Sequence, residues 1–495
     1  MNQIQRQTIV DRFEALAGED PEAVFLTDEH RSWSRHEIYR YVSALAGQLR
    51  ENVTPGMHVG LLISDSSSYT SAFLALLKLG ALVIPFNPRW SGEAKQRCAD
   101  QMNVPFFVVD AHNKREIGRL NTPYFLMKRA DEIWKEAADD ESGTDQSDMD
   151  APMVMFSTSG STAEPKAIIL TQRQMIARVL EEEEEFRLSG EDVMLISTPL
   201  CHALATRMIL TGAYTGIRLV IMRGFTAEKW VSMIGAHEIT YTISTSAQLA
   251  QVVRFMENND LPEDGFSSMR QLVSTAACLD PDVRDSIRQI LPGRCHFYNL
   301  LASSETEFIA IADLGDESAA DDVAGIPVSR VQIRIENDKI PAGTDEVGEI
   351  FCRGEAVFDG YYIAGTQVRG TREDGFFGTG DLGYLDGEGV LHYAGRKKKI
   401  IISGGMNIFP GDIETEIRKL EGVRECVAYP LPDDILGEVV GVVVAADERV
   451  DLKAVKKRCL ESLSDYQQPR DIRFVDHIPR DELGKISWND LHMYL

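Results

Sequence analysis

Short apolar runs alternate with helix-like segments along this chain, and that alternation constrains the fold more than any other feature. Val59 to Ile63, Phe106 to Val109, Met153 to Phe156, Val193 to Ile196 and Leu219 to Met222 read as strands. Helical segments such as Arg35 to Leu49 lie among them. Ser71 to Leu79 reads as a buried helix and Ala81 to Ile84 as the strand after it. Strands separated by helices predict an α/β fold of layered subdomains with largely parallel sheets. From Val347 the pattern turns strand-rich and glycine-punctuated, which predicts a β-rich subdomain. After Arg396 the chain has its own apolar pattern, including Val439 to Ala445, and predicts a small α+β domain. The expected division is a large domain over 1–395 and a small one over 396–495. A length of 495 residues exceeds what one core supports, and 44% hydrophobic content suffices for ordinary packing.

The charge balance narrows the partners. A net charge of −26 argues against nucleic acid or an anionic membrane surface as the main partner. It does not bear on nucleotide binding, where a few local lysines decide. Seven cysteines without a C-x-x-C pair indicate neither a zinc site nor a disulfide framework, which suits a reducing cytosol and predicts a cytoplasmic protein. Met1 to Arg12 lacks an apolar signal core. Phe73 to Pro85 is interrupted by Lys78 and is too short to cross a bilayer, so no membrane span is expected. Asp139 to Asp150 reads as an exposed acidic connector. The five glutamates Glu181 to Glu185 read as a solvated helix face.

Directly after the strand-like run Met153 to Phe156 comes Ser157-Thr158-Ser159-Gly160-Ser161-Thr162-Ala163-Glu164-Pro165-Lys166. Small residues let the backbone of a loop approach a ligand, with its N–H groups facing phosphate oxygens. The hydroxyls of Thr158, Ser159 and Ser161 add donors, and Lys166 adds a movable positive charge. The loop is not a Walker A sequence, because no G-x-x-x-x-G-K-[ST] is present.

This run resembles the T-S-G-S-T-G-x-P-K-G signature of the adenylate-forming superfamily, which includes acyl-CoA synthetases, firefly luciferase and nonribosomal peptide synthetase adenylation domains. Four more motifs follow in that family's order. They are Ser304-Glu305 within Asn299 to Glu305; Thr379-Gly380-Asp381; Gly395-Arg396-Lys397-Lys398-Lys399 running on to Gly404-Gly405; and Pro479-Arg480 followed by Gly484-Lys485-Ile486. The resemblance spans almost the whole chain. It implies that a carboxylate attacks the α-phosphate of ATP to give an acyl-AMP and pyrophosphate, after which the acyl group passes to a second nucleophile.

The resemblance also implies roles. Thr158, Ser159, Gly160, Ser161, Thr162 and Lys166 would cover the phosphates, with Ala277 and Ser304 beside the nucleotide. Glu305 matches a magnesium-associated carboxylate, and Glu307, two residues on, is the weaker competitor. Asp381 would accept hydrogen bonds from the ribose hydroxyls, with Arg396 closing on the same sugar. Lys485 matches the catalytic lysine that bridges substrate carboxylate and α-phosphate; a compact point charge suits a role that is engaged and then withdrawn. Lys398 matches a hinge of a mobile C-terminal domain. Rotation there would bring Ser403 to Asn407, with Gly404 and Gly405, to line a thiol tunnel.

Pro199-Leu200-Cys201-His202 resembles the P-L-x-H motif of acyl- and aryl-CoA synthetases, which makes His202 a gate or wall of the carboxylate pocket. Tyr241 to Gln248 holds no acidic partner for an α-amine, which favours a small carboxylic acid without one. Several positions depart from the family. Leu301 stands where a tyrosine usually stacks on adenine, so either Tyr298 compensates or the base is held more loosely. Ala163 and Ala167 replace loop glycines, and the adenine-side segment reads Ser274-Thr275-Ala276-Ala277-Cys278-Leu279. Three readings follow: a ligase that uses coenzyme A; one that delivers the acyl group to a carrier-protein phosphopantetheine or an amine; and a homologue that binds ligand without turnover. Joint retention of Lys166, Glu305, Asp381, Arg396 and Lys485 speaks against the third, and ATP with Mg2+ is expected in the first two.

Overall fold

The computed structural model describes residues 7–118, 120, 122–128, 148–157, 167–259, 265–277, 279–315, 322–337, 339–363, 365–397, 400–403, 406–433, 435–480, 486–491 and 493. The chain divides into two units. One is Met1–Glu317 with Val328–Gln332 and Arg353–Phe377, and the other is Ser318–Pro327 with Ile333–Cys352 and Gly378–Leu495.

The first unit holds two sheets. In one, the strands run in the order Thr366–Arg369, Gly360–Ile363, Ala167–Thr171, Pro152–Ser157, Leu82–Pro85, His58–Leu62, Phe106–Val109 and Tyr124–Leu126. In the other, the order is Glu307–Asp313, His296–Ser303, Gln271–Thr275, Tyr241–Thr245, Val193–Ile196, Arg218–Ile221, Val24–Thr27 and Ser32–Ser34. The central strands of both sheets are parallel. Parallel strands are covered on both faces, so they read as continuous apolar runs rather than alternating ones.

Helices supply that cover. Ile9–Glu19, Arg35–Leu49, Ser66–Lys78, Gln172–Glu185 and Ala203–Thr215 share one core with strands of both sheets. The far face of the second sheet, with Leu195, Val220, Leu272 and Phe297, packs on Ala227–Ala236, Ser246–Glu257 and Pro281–Ile290. The layered α/β architecture expected from the sequence is the one observed.

Local boundaries shifted for identifiable reasons. The helix expected from Ser71 begins at Ser66, because the Asp65 carboxylate accepts from the Ser68 N–H at 2.9 Å and draws three serines into the first turn. All of its residues are buried, including Lys78, whose Nζ lies 3.5 Å from the Tyr39 hydroxyl. Among the described residues, no helix is long and apolar enough to cross a membrane.

The glutamate run requires a correction. It occupies the end of the helix Gln172–Glu185, but Glu181 is 1% and Glu182 0% exposed. Only the far side of the turn faces water: Glu184 pairs with Arg330 at 2.5 Å, and Glu185 accepts from Ser329. Glu182 is compensated by Arg207, which the local sequence pattern did not connect to it, while Glu181 has no ion pair of its own among the described residues.

The second unit carries an antiparallel arrangement of Ile340–Pro341, Gln332–Asn337, Gly348–Arg353, Phe377–Leu385, Leu391–Arg396 and Val323–Pro327. It also carries a sheet in which Gly437–Ala446 pairs with Val423–Asp433, Ile401–Ser403 and Asp471–Val475. Apolar clusters lie on the two faces of that sheet, one with Ile413, Ile417, Val455 and Cys459 and the other with Ile478 and Leu491.

Candidate active site

The strands His296–Ser303 and Glu307–Asp313 are antiparallel, with Ser303 opposite Glu307. Ser304, Glu305 and Thr306 form the hairpin turn between them. Ser303 Oγ accepts from the Thr306 N–H at 3.1 Å and contacts its hydroxyl at 2.8 Å. Three-residue hairpin loops usually place a left-handed residue after the turn, a position that favours glycine. Here that residue is Glu307, at φ +64°.

A buried charge network holds Glu307 there. Arg178 Nη1 lies 3.0 Å from one carboxylate oxygen and Arg207 Nε 2.7 Å from the other. Both arginine side chains are 1% exposed. Arg207 also pairs with Glu182, whose carboxylate accepts from Thr211 at 2.6 Å and from the Tyr241 hydroxyl at 2.9 Å. Buried charges persist only when compensated, and each of these has an opposite charge within ion-pair distance. Burial pulls the Arg207 guanidinium down, but Glu182 and Glu307 outweigh it and raise its pKa overall. Burial, reinforced by Glu307 and opposed by Arg178, pushes the Glu181 carboxyl up to about 8.

This network separates the two candidate carboxylates. Glu307 has both oxygens engaged by arginines. Glu305 is half-buried, and its Oε1 accepts from the Tyr361 hydroxyl at 3.0 Å. A carboxylate has roughly four lone-pair sites, so acceptor capacity remains on Glu305. A hard oxygen donor of this kind fits Mg2+, which takes one or two carboxylates together with phosphate oxygens. Burial, with Glu305 beside it, raises the Tyr361 phenol above its ordinary value, so it stays a donor.

Around the adenine-side segment, Ser246 Oγ donates to Ala277 O at 3.2 Å and Thr275 Oγ1 to Leu300 O at 3.1 Å. Ala276 sits at φ +78°, where a Cβ is strained. Ala277 and Ser304 are exposed. Tyr298 stacks on His296 and packs on Phe186. Side chains alternate across a strand, so Tyr298 and Leu301 lie on opposite faces. Tyr298 therefore does not take the place of the missing aromatic at 301.

His202 caps the N-terminus of the helix Ala203–Thr215 through its backbone, its carbonyl accepting from the Thr206 N–H at 3.0 Å. Thr206 Oγ1 donates to Leu200 O at 3.1 Å and tightens the loop from Pro199. The His202 side chain is half-buried.

Asp381 and Arg396 belong to the second unit and stand directly opposite each other on antiparallel strands. Arg396 Nε donates to Asp381 Oδ1 at 2.7 Å and Nη2 to Oδ2 at 3.4 Å. Gly380, at φ +72°, makes the bend before Asp381, and the Asp381 N–H donates to Thr379 Oγ1 at 3.0 Å. The Asp381 side chain is 4% exposed and that of Arg396 52%, so one partner faces water. Thr158, Ser159, Gly160, Ser161, Thr162, Lys166, Lys398, Gly404, Gly405 and Lys485 lie outside the described residues. Arg178, Arg207 and Tyr361 were not singled out from the sequence; Arg178, one turn before the glutamate run, was the available signal.

Comparison with known proteins gives the class. Residues 13–362 match the AMP-binding enzyme family, and 412–485 match the AMP-binding enzyme C-terminal domain. The chain belongs to this family, the adenylate-forming ligases. An uncharacterized acyl-CoA ligase, YhfT of Bacillus subtilis, is 26% identical over 99% of this chain and 98% of its own. Feruloyl-CoA synthase of an Amycolatopsis species is 27% identical, with 91% of each chain covered. Among solved structures, o-succinylbenzoate CoA synthetase (MenE) of Bacillus subtilis with its acyl-adenylate intermediate superposes with a TM-score of 0.85. It is 24% identical, with 98% of each chain covered.

Proposed function

We propose that this protein is an ATP-dependent ligase that activates a small carboxylic acid as its acyl-AMP and then transfers the acyl group to coenzyme A. In the first step a carboxylate oxygen attacks the α-phosphorus and pyrophosphate leaves. In the second the thiol sulfur attacks the acyl carbon, AMP leaves and the thiol proton is released. The observation that carries this reading is the Glu305 turn. Of its two neighbouring carboxylates, one is consumed by arginines and the other is aimed by a tyrosine with oxygen capacity to spare. The Mg2+ expected there would neutralise charge on the phosphates.

The chain's own groups would do the rest. Thr158 to Thr162 and Lys166 would bind the polyphosphate. The Asp381 carboxylate, oriented by Arg396, would accept from a ribose hydroxyl. Lys485 would stabilise charge developing between carboxylate and α-phosphate, and His202 would wall the acid pocket. A hinge at Lys398, with 396–495 as the moving part, would exchange Lys485 for Gly404 and Gly405. Coenzyme A as acceptor follows from relatives named as CoA ligases, including those for 2-succinylbenzoate and indoleacetate. Cys98, Cys201, Cys295, Cys352, Cys426 and Cys459 stand as thiols rather than disulfides, which supports a reducing, cytoplasmic setting.

The test separates the half-reactions. An acid panel in ATP–pyrophosphate exchange identifies the substrate. With that acid, Lys485→Ala should abolish exchange yet still convert preformed acyl-AMP and coenzyme A to thioester. Exchange at the wild-type rate in Lys485→Ala would remove Lys485 from the chemistry. Transfer only to a carrier protein or an amine would replace coenzyme A as acceptor.

A further inference from the structure

Arg178 does more than balance charge. Its Nε donates to Ala356 O at 3.0 Å, and its Nη2 to Ser304 O at 3.1 Å and Glu305 O at 3.3 Å. The Glu305 carbonyl also accepts from the Phe358 N–H at 2.8 Å. One turn earlier on the same helix, Gln174 Nε2 donates to Val357 O at 3.0 Å. This helix face therefore grips two chain segments, 304–305 and 356–357, that are far apart in sequence. The second segment leads into the strand Gly360–Ile363, which carries Tyr361, and the Tyr361 hydroxyl donates to the Glu305 carboxylate.

The turn is held against its own preference. Glu307 occupies a left-handed conformation that a non-glycine residue adopts only when its surroundings over-determine it, and such positions gather at functional sites. Arg178 and Arg207 provide that constraint from two helices. A structural ion pair would need only the carboxylate contact. The additional bonds to main-chain carbonyls fix the backbone of Glu305 and of the residue before it.

We propose that Arg178 and Tyr361 are positioning residues for the metal–nucleotide step, Arg178 holding Glu305 by its main chain and Tyr361 by its carboxylate. The proposal rests on the reading of Glu305 as the magnesium-associated carboxylate. Residues that orient a metal-associated group commonly change metal affinity when replaced. Lysine at 178 keeps a positive charge for Glu307 but lacks the planar fork that reaches several carbonyls at once.

The experiment titrates Mn2+ into enzyme with saturating ATP, follows free Mn2+ by electron paramagnetic resonance, and measures AMP affinity and the acid KM alongside. Arg178→Lys and Tyr361→Phe should each weaken Mn2+ binding about 10–100-fold, as expected for such supporting contacts, while AMP affinity and acid KM stay near wild type. Glu305→Gln is the reference. If Glu305→Gln weakens Mn2+ binding and Tyr361→Phe does not, the positioning role is overturned while the Glu305 reading stands. If Glu305→Gln leaves Mn2+ binding unchanged, the Glu305 reading itself fails. Parallel losses of AMP, acid and Mn2+ binding in both variants would make the contacts merely structural and overturn the proposal. Should Arg178→Lys not fold, Tyr361→Phe decides, because it deletes one hydroxyl from a half-buried side chain.

Discussion

Two carboxylate–guanidinium assemblies in this molecule use the same chemistry to opposite ends. In the first unit Glu307 lies between Arg178 and Arg207, and all three are nearly inaccessible. In the second unit Asp381 faces Arg396, whose side chain is half in water. A charge sealed among partners acts as a fastener: it keeps a hairpin turn in a conformation that it would not hold alone. A charge whose partner reaches water is screened by solvent on that side and is fastened less tightly. The buried assembly fixes a turn, and under the proposed function the half-exposed one would touch the nucleotide.

The sharpest way to break this contrast is Arg207→Met. It leaves Glu182 and Glu307 facing a missing charge in the core, and removing one partner of a buried pair costs about 3–5 kcal/mol. Urea unfolding should show a large drop in midpoint with little change in slope. A loss as small as that of a surface pair would mean that water reaches the network.

Glu181 offers a smaller effect with a pH signature. Its folded pKa, about 8, stands above the ordinary 4.5, so between those values the folded state binds the proton and the unfolded state does not. Stability from this group is therefore full below about pH 4.5 and is lost as pH rises towards 8. Glu181→Gln stays neutral throughout. It should unfold like wild type near pH 4.5 and at progressively higher temperature than wild type as pH approaches 8. Identical pH profiles for the two proteins would show that Glu181 is ionised in the fold, compensated by Arg178.

The smallest stability change is expected at the open pair. Arg396→Ala should cost less than Arg207→Met, because the Arg396 side chain is half in water and solvent can partly replace it beside Asp381. Its effect should fall on the ATP KM in pyrophosphate exchange, which should rise while the acid KM stays put. A large loss of stability with unchanged ATP KM would make Asp381–Arg396 a fastener like the buried network and end the comparison.

Much of the fold was legible because its signals are local. Arg35 to Leu49 is a helix with the expected bounds, opened by Ser34 and Glu37 in a reciprocal cap. Phe106 to Val109 and Val193 to Ile196 are strands as read. Glu305 and Asp381 were singled out from motif position, and the structure gives each a setting that sequence spacing does not contain. The glutamate run misled because a row of charges normally faces water. Arg207, which compensates Glu182, is distant in sequence and sits in an otherwise uncharged helix.

The sequence by itself determined the layered α/β architecture, the strand-rich later region and the order of the adenylate-forming motifs. These depend on apolar periodicity and on short runs whose residue types carry their chemistry. Tertiary structure alone decided which glutamate has both oxygens held by arginines, on which face Tyr298 lies, and that Arg178 and Tyr361 meet at Glu305 from separate segments. Charge compensation and the aim of a side chain arise between distant parts of the chain. They have no period along the sequence, and burial sets their worth only once the core has closed around them.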